Sequence, residues 1–214
     1  MRRRVLGYVL PLCLLMAACA TDGNGPMDPE PDPDPEVQTP MEIDGIVVEN
    51  TTAAETLTAF GAAHEAKSLA AYTALITDGF EFHIRDDDAD AFPWLSDDFW
   101  GRATELGMIA NMFDPAFSGS NPPVDSIDFD QVILSQRDLS DTDNVVIAVE
   151  ITADATVTVL TGPNDGFLSD TRLVVELVED ADGFFRVDRV DEVEKLGPAR
   201  AEDSSFGSIK SLYR

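Results

Sequence analysis

The feature that most constrains this chain is an alternation of apolar and polar residues with period two through its second half. Val145, Ile147, Val149 and Ile151 take every second position, as do Leu173, Val175 and Leu177. In an extended chain, residues two apart share one face, so this spacing makes a half-buried strand; on a helix the same residues would scatter around the axis. Ile127, Phe129 and the run Val132-Ile133-Leu134 predict a strand before these, and Phe184–Val193 one after, across the turn signal Asp182-Gly183. The strand from Val145 is expected to run on to Leu160 with a bend around Ala153-Asp154. Phe80-Glu81-Phe82-His83-Ile84-Arg85 alternates in the same way and places Phe80, Phe82 and Ile84 toward the core.

Upstream the period changes to that of helices. Thr52-Ala53-Ala54-Glu55 fits a capping box, followed by Leu57, Phe60 and His64 on one stripe. Ser68 caps a second helix with Leu69, Tyr72, Leu75 and Ile76 on its apolar side, ended by Asp78-Gly79. A third helix is expected from about Ser96 to Phe113, with Phe99, Ala103, Leu106, Ala110 and Phe113 facing inward and Arg102 paired to Glu105. Asn121-Pro122-Pro123 then breaks the chain. Short loops between the later strands make neighbours antiparallel. The expected fold is α+β: three N-terminal helices packed on a curved antiparallel sheet, over residues 45–214. With 44% apolar residues and 8% aromatics the chain can build such a core.

The N-terminus has a different design. Arg2, Arg3 and Arg4 precede an uncharged, mostly apolar run from Val5 to Ala18. That run is shorter than the ~20 residues a spanning helix needs and suits a signal peptide. It ends Leu15-Met16-Ala17-Ala18-Cys19, which resembles the bacterial lipobox, with Met16 where leucine is usual. The resemblance implies a leader 1–18, removed on processing, and a lipidated Cys19 that anchors the protein in a bilayer. Cys13 would leave with the leader, so the mature chain holds one cysteine and no intramolecular disulfide. Ala20, where an aspartate would mark inner-membrane retention, points by the same resemblance to the outer membrane of the cell envelope.

Residues 19–44 alternate proline with acid: Pro29-Glu30-Pro31-Asp32-Pro33-Asp34-Pro35-Glu36. Such a segment supports neither helix nor sheet and reads as a stiff spacer, reaching at most roughly 75 Å. The whole chain has 41 acidic against 14 basic residues, a formal charge of -27, and residues 45–214 carry 33 against 11, a net of -22. Nucleic acid is excluded as a partner, because its phosphates demand Lys and Arg.

The order helix, helix, strand, helix, antiparallel meander resembles the nuclear-transport-factor-2-like, or SnoaL-like, superfamily. Residues 54–82 look like that family's opening. The segment Trp100-Gly101-Arg102-Ala103-Thr104-Glu105-Leu106 through Asn111-Met112-Phe113 and the tail Phe206-Gly207-Ser208-Ile209-Lys210 are similar to those of uncharacterised bacterial lipoproteins of this type, with Phe206 departing from tryptophan. The resemblance implies a sheet wrapped around the helices as a cone whose open end can hold an apolar ligand. Some relatives isomerise, dehydrate or hydrolyse, using a buried Asp, His or Tyr; by family position Asp78 and Glu105 are the carboxylates nearest such a role.

Tyr72, Trp94, Trp100, Glu105, Met108, Met112 and Phe113 are the candidate pocket residues. His83 alternates with the apolar set and is expected to face outward, whereas His64 is expected within the core. Two histidines and one mature cysteine do not make a zinc site, and no serine-hydrolase elbow, phosphate loop or His-Glu-x-x-His pattern occurs. The acidic loops Asp86–Asp90 and Asp141–Asn144 lack the spacing of a calcium-binding loop. No catalytic residue, metal or cofactor is assigned. The expectation is an envelope lipoprotein whose domain binds a small apolar ligand or a protein partner without catalysis, with a homodimer through the sheet; the alternative is a SnoaL-like acid–base enzyme.

Overall fold

The computed structural model describes residues 40–85, 88, 92–140, 147–195 and 204–214. The leader, Cys19, the spacer up to residue 39, the loop Asp141–Asn144 and all but Asp88 of the loop Asp86–Asp90 lie outside the described residues.

The described chain opens with a hairpin, β1 (Glu42–Ile43) and β2 (Ile46–Val47). Its corner is Asp44-Gly45, with φ of 54° and 79°, the left-handed pair that two-residue hairpins require. Helix α1 (Ala53–Glu65) starts at Thr52, whose hydroxyl accepts from the Glu55 amide and donates to the Glu55 carboxylate. Ser68 caps α2 (Leu69–Leu75) through the Ala71 amide and donates to Asp44 of the hairpin at 2.5 Å.

Here the structure corrects several expectations. Leu69 is exposed, and Ile76 opens strand β3 (Ile76–His83) instead of closing the helix. Asp78-Gly79 therefore lies inside the strand, where the pairing register slips between Ile76 and Glu81. Phe99–Gly101 is a short strand, β4, so α3 spans Arg102–Phe113. Its buried stripe is Glu105, Met108, Ile109 and Met112 with Phe113, while Ala103 is exposed. Glu105 consequently points inward and makes no pair with Arg102, which donates to the Thr73 carbonyl.

Strands β5 (Ser126–Asp138), β6 (Ala148–Leu160), β7 (Gly166–Glu179) and β8 (Phe185–Val193) form an antiparallel meander. The six-stranded sheet has the order β4-β3-β8-β7-β6-β5. It is mixed, because β3 and β8 run parallel. β6 pairs in continuous register with β7, and the bend falls on β5 as a bulge between Ile133 and Ser135. The last element is helix α4 (Phe206–Ser211), capped by Ser205. The helices thus number four among the described residues, the third following β3 and β4 and the fourth closing the chain.

Helices α1 and α3 pack on one face of the sheet and α4 packs on α3 and β7. Phe80, Phe82 and Ile84 are buried there as the alternation predicts, with Ile151, Val157, Leu173, Val175 and Val187 from neighbouring strands. The opposite face carries ion pairs, among them Arg172–Asp154 and Lys195–Asp170.

Candidate functional site

The chemistry of this domain is concentrated where α2, α3, α4 and the β3–β4 pair converge. Phe82 and Trp100 are cross-strand partners; their rings stack at 4.7 Å and 15°, which fixes the indole N–H toward α3. Glu105, in the first turn of α3, reaches back beneath that ring. Its Oε2 accepts from Trp100 Nε1 at 2.6 Å, and its Oε1 accepts from Tyr72 Oη at 2.5 Å and from Lys210 Nζ at 2.9 Å. Neither Glu105 nor Lys210 has any solvent-exposed side-chain surface.

Burial by itself pushes the Glu105 carboxyl toward the neutral acid. The Lys210 charge and the hydrogen bonds from Tyr72, Lys210 and Trp100 outweigh it and hold the group below the usual glutamate range. Lys210 is shifted down, chiefly by burial, with Glu105 opposing. Burial, then the adjacent carboxylate, raises Tyr72 well above its ordinary value. The Lys210 ammonium also lies 3.3 Å from the Phe82 ring centroid and 4.7 Å from that of Phe206. A buried cation between aromatic faces and one carboxylate is the arrangement that offsets the cost of taking it out of water.

A second buried carboxylate acts on the same lysine. Glu192, on β8, accepts from the amides of Phe206 and Gly207 at 2.6 and 2.8 Å. These are unsatisfied donors at the start of α4, so the bonds moor the tail to the sheet. Burial raises Glu192, with the Gly207 and Phe206 amides opposing. Gly207 allows a close approach: a Cβ there would stand 3.2 Å from a Phe82 ring carbon and 3.3 Å from both Glu192 Oε2 and the Trp100 ring, tighter than ordinary contact.

His64 completes the interior. Its Nδ1 lies 2.9 Å from the Phe60 carbonyl, which can only accept, so Nδ1 carries the proton and Nε2 is left as a buried acceptor without a partner among the described residues. The ring stacks on Phe129 at 5.1 Å and meets Tyr72 and Phe206 edgewise. Burial lowers its pKa to about 4.

Of the residues singled out from the sequence, Tyr72, Trp100 and Glu105 join in one hydrogen-bonded cluster. Met108, Met112 and Phe113 are buried in the same core, and Trp94 is half-buried at its margin, 6.0 Å from Trp100 and beneath the Arg214 guanidinium. Asp78 is fully exposed and lies 3.8 Å from Arg102. His83 is on the opposite sheet face, stacked on Phe99 and 3.0 Å from Glu81. It borders a surface cavity of about 440 Å³ with Arg85, Asp98, Arg189 and Asp191. Lys210 and Glu192 were not identified from the sequence as site residues. The available signal was the spacing Phe206, Ile209, Lys210, Tyr213, which puts a lysine on an otherwise apolar helical stripe. Among the described residues no cluster of three or more metal-ligating side chains occurs, and no helix is long and apolar enough to cross a membrane.

No family model matches the chain, and no curated protein matches it. Solved structures share its backbone course loosely. Naphthalene 1,2-dioxygenase with indole bound is 11% identical over 70% of this chain and 80% of that one, with a TM-score of 0.48. A candidate scytalone dehydratase from Novosphingobium aromaticivorans is 10% identical over 72% and 90%, at 0.46. A candidate dehydratase of the nuclear-transport-factor-2-like family from Streptomyces avermitilis is 14% identical over 67% and 94%, at 0.44. At these identities and scores the likeness assigns no ligand and no reaction to this chain.

Proposed function

We propose that this protein is a lipid-anchored envelope protein whose nuclear-transport-factor-2-like domain works by binding a protein partner, without catalysis. The observation that supports this reading is the Glu105–Lys210 pair. An acid–base enzyme of the SnoaL-like kind needs a buried carboxylate with a free lone pair and an approach for substrate. Glu105 already takes three donors on its two oxygens, which leaves at most one acceptor site, and it is held in its charged form and covered by the chain's own tail. The side chains that would line a ligand space fill it: Tyr72, Met108, Met112, Phe206, Ile209 and Tyr213 are all buried. A domain closed in this way has its outer surface left for recognition, and the acidic spacer would hold it away from an anionic bilayer.

Two measurements on protein purified from its own host test the proposal. Native mass spectrometry should show the acylated chain, as one or more copies or with a protein partner, and no added small-molecule mass, and membrane fractionation should find the wild type with lipid and Cys19→Ser in the soluble fraction. A retained small molecule would overturn the closed-domain reading, and persistent membrane association of Cys19→Ser would overturn the anchor.

A further inference from the structure

Strand β5 ends the sheet, and nothing among the described residues pairs with its outer edge. Its first half is anchored: Ile127 and Phe129 are buried, and Gln131 donates to the Leu57 carbonyl of α1. Its second half is bare. Val132, Ile133 and Leu134 are 64%, 39% and 48% exposed, three large apolar residues in a row on an unpaired edge, in a domain whose net charge is -22. Natural sheets generally blunt such edges with charge or proline, and an edge left apolar is a template for another strand.

We propose that this edge pairs with a second copy of the same chain, β5 against β5 and antiparallel, about a two-fold axis through the bulge and normal to the sheet. The bulge supplies the argument. Asp130 and Arg137 are seven residues apart, and in a regular strand an odd spacing puts side chains on opposite faces. The extra residue at Leu134 reverses the alternation. Asp130 is paired to Thr156 and Arg137 to Glu150, both on the face of β6 turned away from the helices. With both groups on one face and the axis midway between them, Asp130 meets the partner's Arg137, and Arg137 the partner's Asp130. Gln131 then meets the partner's Gln136, Val132 the partner's Ser135, and Ile133 and Leu134 gather at the axis. A strand that carries one acid and one base at equal distances from a central apolar pair is complementary to itself, as a two-fold interface must be. Opposite charges placed directly across two strands favour the pairing and like charges oppose it. Arg137 keeps its 2.7 Å bond to Glu150 and, at 66% side-chain exposure, has donors left to present across the edge.

The pairing concerns the sheet edge and the proposed function the interior. A monomer would remove the pairing and leave the closed interior standing, whereas a retained small molecule would remove that reading and leave the pairing. The test is sedimentation velocity over a concentration series, on the mature full chain carrying Cys19→Ser, which removes both the lipid and the one thiol able to cross-link two copies. The chain is expected to dimerise. Arg137→Asp and Asp130→Arg should each weaken the dimer by roughly tenfold or more, because each places two like-charge pairs across the axis. The double variant Asp130→Arg/Arg137→Asp should recover it, with circular dichroism confirming that all three are folded. A chain that stays monomeric overturns the proposal. So does a dimer indifferent to the single variants, which would use another surface, or single losses that the double variant does not rescue, which would mean another register.

Discussion

Lys210 Nζ lies 2.9 Å from Glu105 Oε1, with both side chains sealed from solvent, and the two residues are 105 positions apart. The contact joins the last helix to the first turn of α3. Tyr72 and Trp100 add their donors to the same carboxylate, so one ionised group ties together α2, β4, α3 and α4. Isolated surface ion pairs contribute little, but a buried pair behaves differently when one partner is removed, because the survivor is left charged without compensation.

Lys210→Met and Glu105→Gln should each lower the unfolding free energy by about 3–5 kcal/mol, and the double variant should cost less than their sum. Urea denaturation of the four chains measures this. Additive losses would mean that the two groups do not share one environment.

Tyr72→Phe removes one of three donors to Glu105 and nothing else of comparable size. The expected loss is about 1.5–3 kcal/mol, the range for a hydrogen bond to a charged group. A loss below about 0.5 kcal/mol, the level of an unremarkable surface change, would show the hydroxyl to be dispensable.

Gly207→Ala should destabilise by about 1–3 kcal/mol, since the added methyl meets Phe82, Trp100 and the Glu192 carboxylate closer than ordinary contact. Because the same carboxylate moors α4, amide exchange at Phe206 and Gly207 should accelerate more than exchange in α1. Uniform acceleration across the domain would mean that the tail has no local opening of its own.

His64 makes stability depend on pH in a defined direction. Its folded pKa is lowered to about 4, against 6.5 for the unfolded chain. Between those values the unfolded state binds a proton that the fold refuses, so stability rises with pH and is lost on acidification from about 6.5 to about 4, by about 3 kcal/mol. Glu192, whose pKa is raised, acts in the opposite sense, being favoured in the fold when protonated. Comparing wild type with His64→Phe in urea at several pH values isolates the histidine, and the variant should show the flatter profile between pH 6.5 and 4.5. Parallel profiles would assign the acid sensitivity elsewhere.

Much of the fold was legible along the chain. Phe80, Phe82 and Ile84 are buried because a strand has two faces and only one was apolar. Thr52 and Ser68 cap their helices because their hydroxyls reach amides three residues on, a relation internal to the segment. The corner of the first hairpin, Asp44-Gly45, is equally local, yet the expected boundary between spacer and domain, at 44/45, cuts through it. α4 was only faintly legible: the stripe Phe206, Ile209, Lys210, Tyr213 has helical spacing, but over a helix of six residues that period is too brief to stand out. Nor was the phase of α3. The stripe through Ala103, Leu106 and Ala110 looked apolar enough to face inward, yet the helix turns Glu105 to the core.

That choice marks the division between the two levels. Periodicity, capping and turn chemistry act over a few residues, so the order α1, α2, β3, α3 and the meander β5 to β8, and the dry face of β3, follow from the sequence read locally. The parallel pairing of β3 with β8, the bulge that brings Asp130 and Arg137 onto one face, and the burial of Glu105 were decided only when distant segments met. The cost of burying a charge depends on what stands opposite it, and the lysine opposite Glu105 arrives from the far end of the chain.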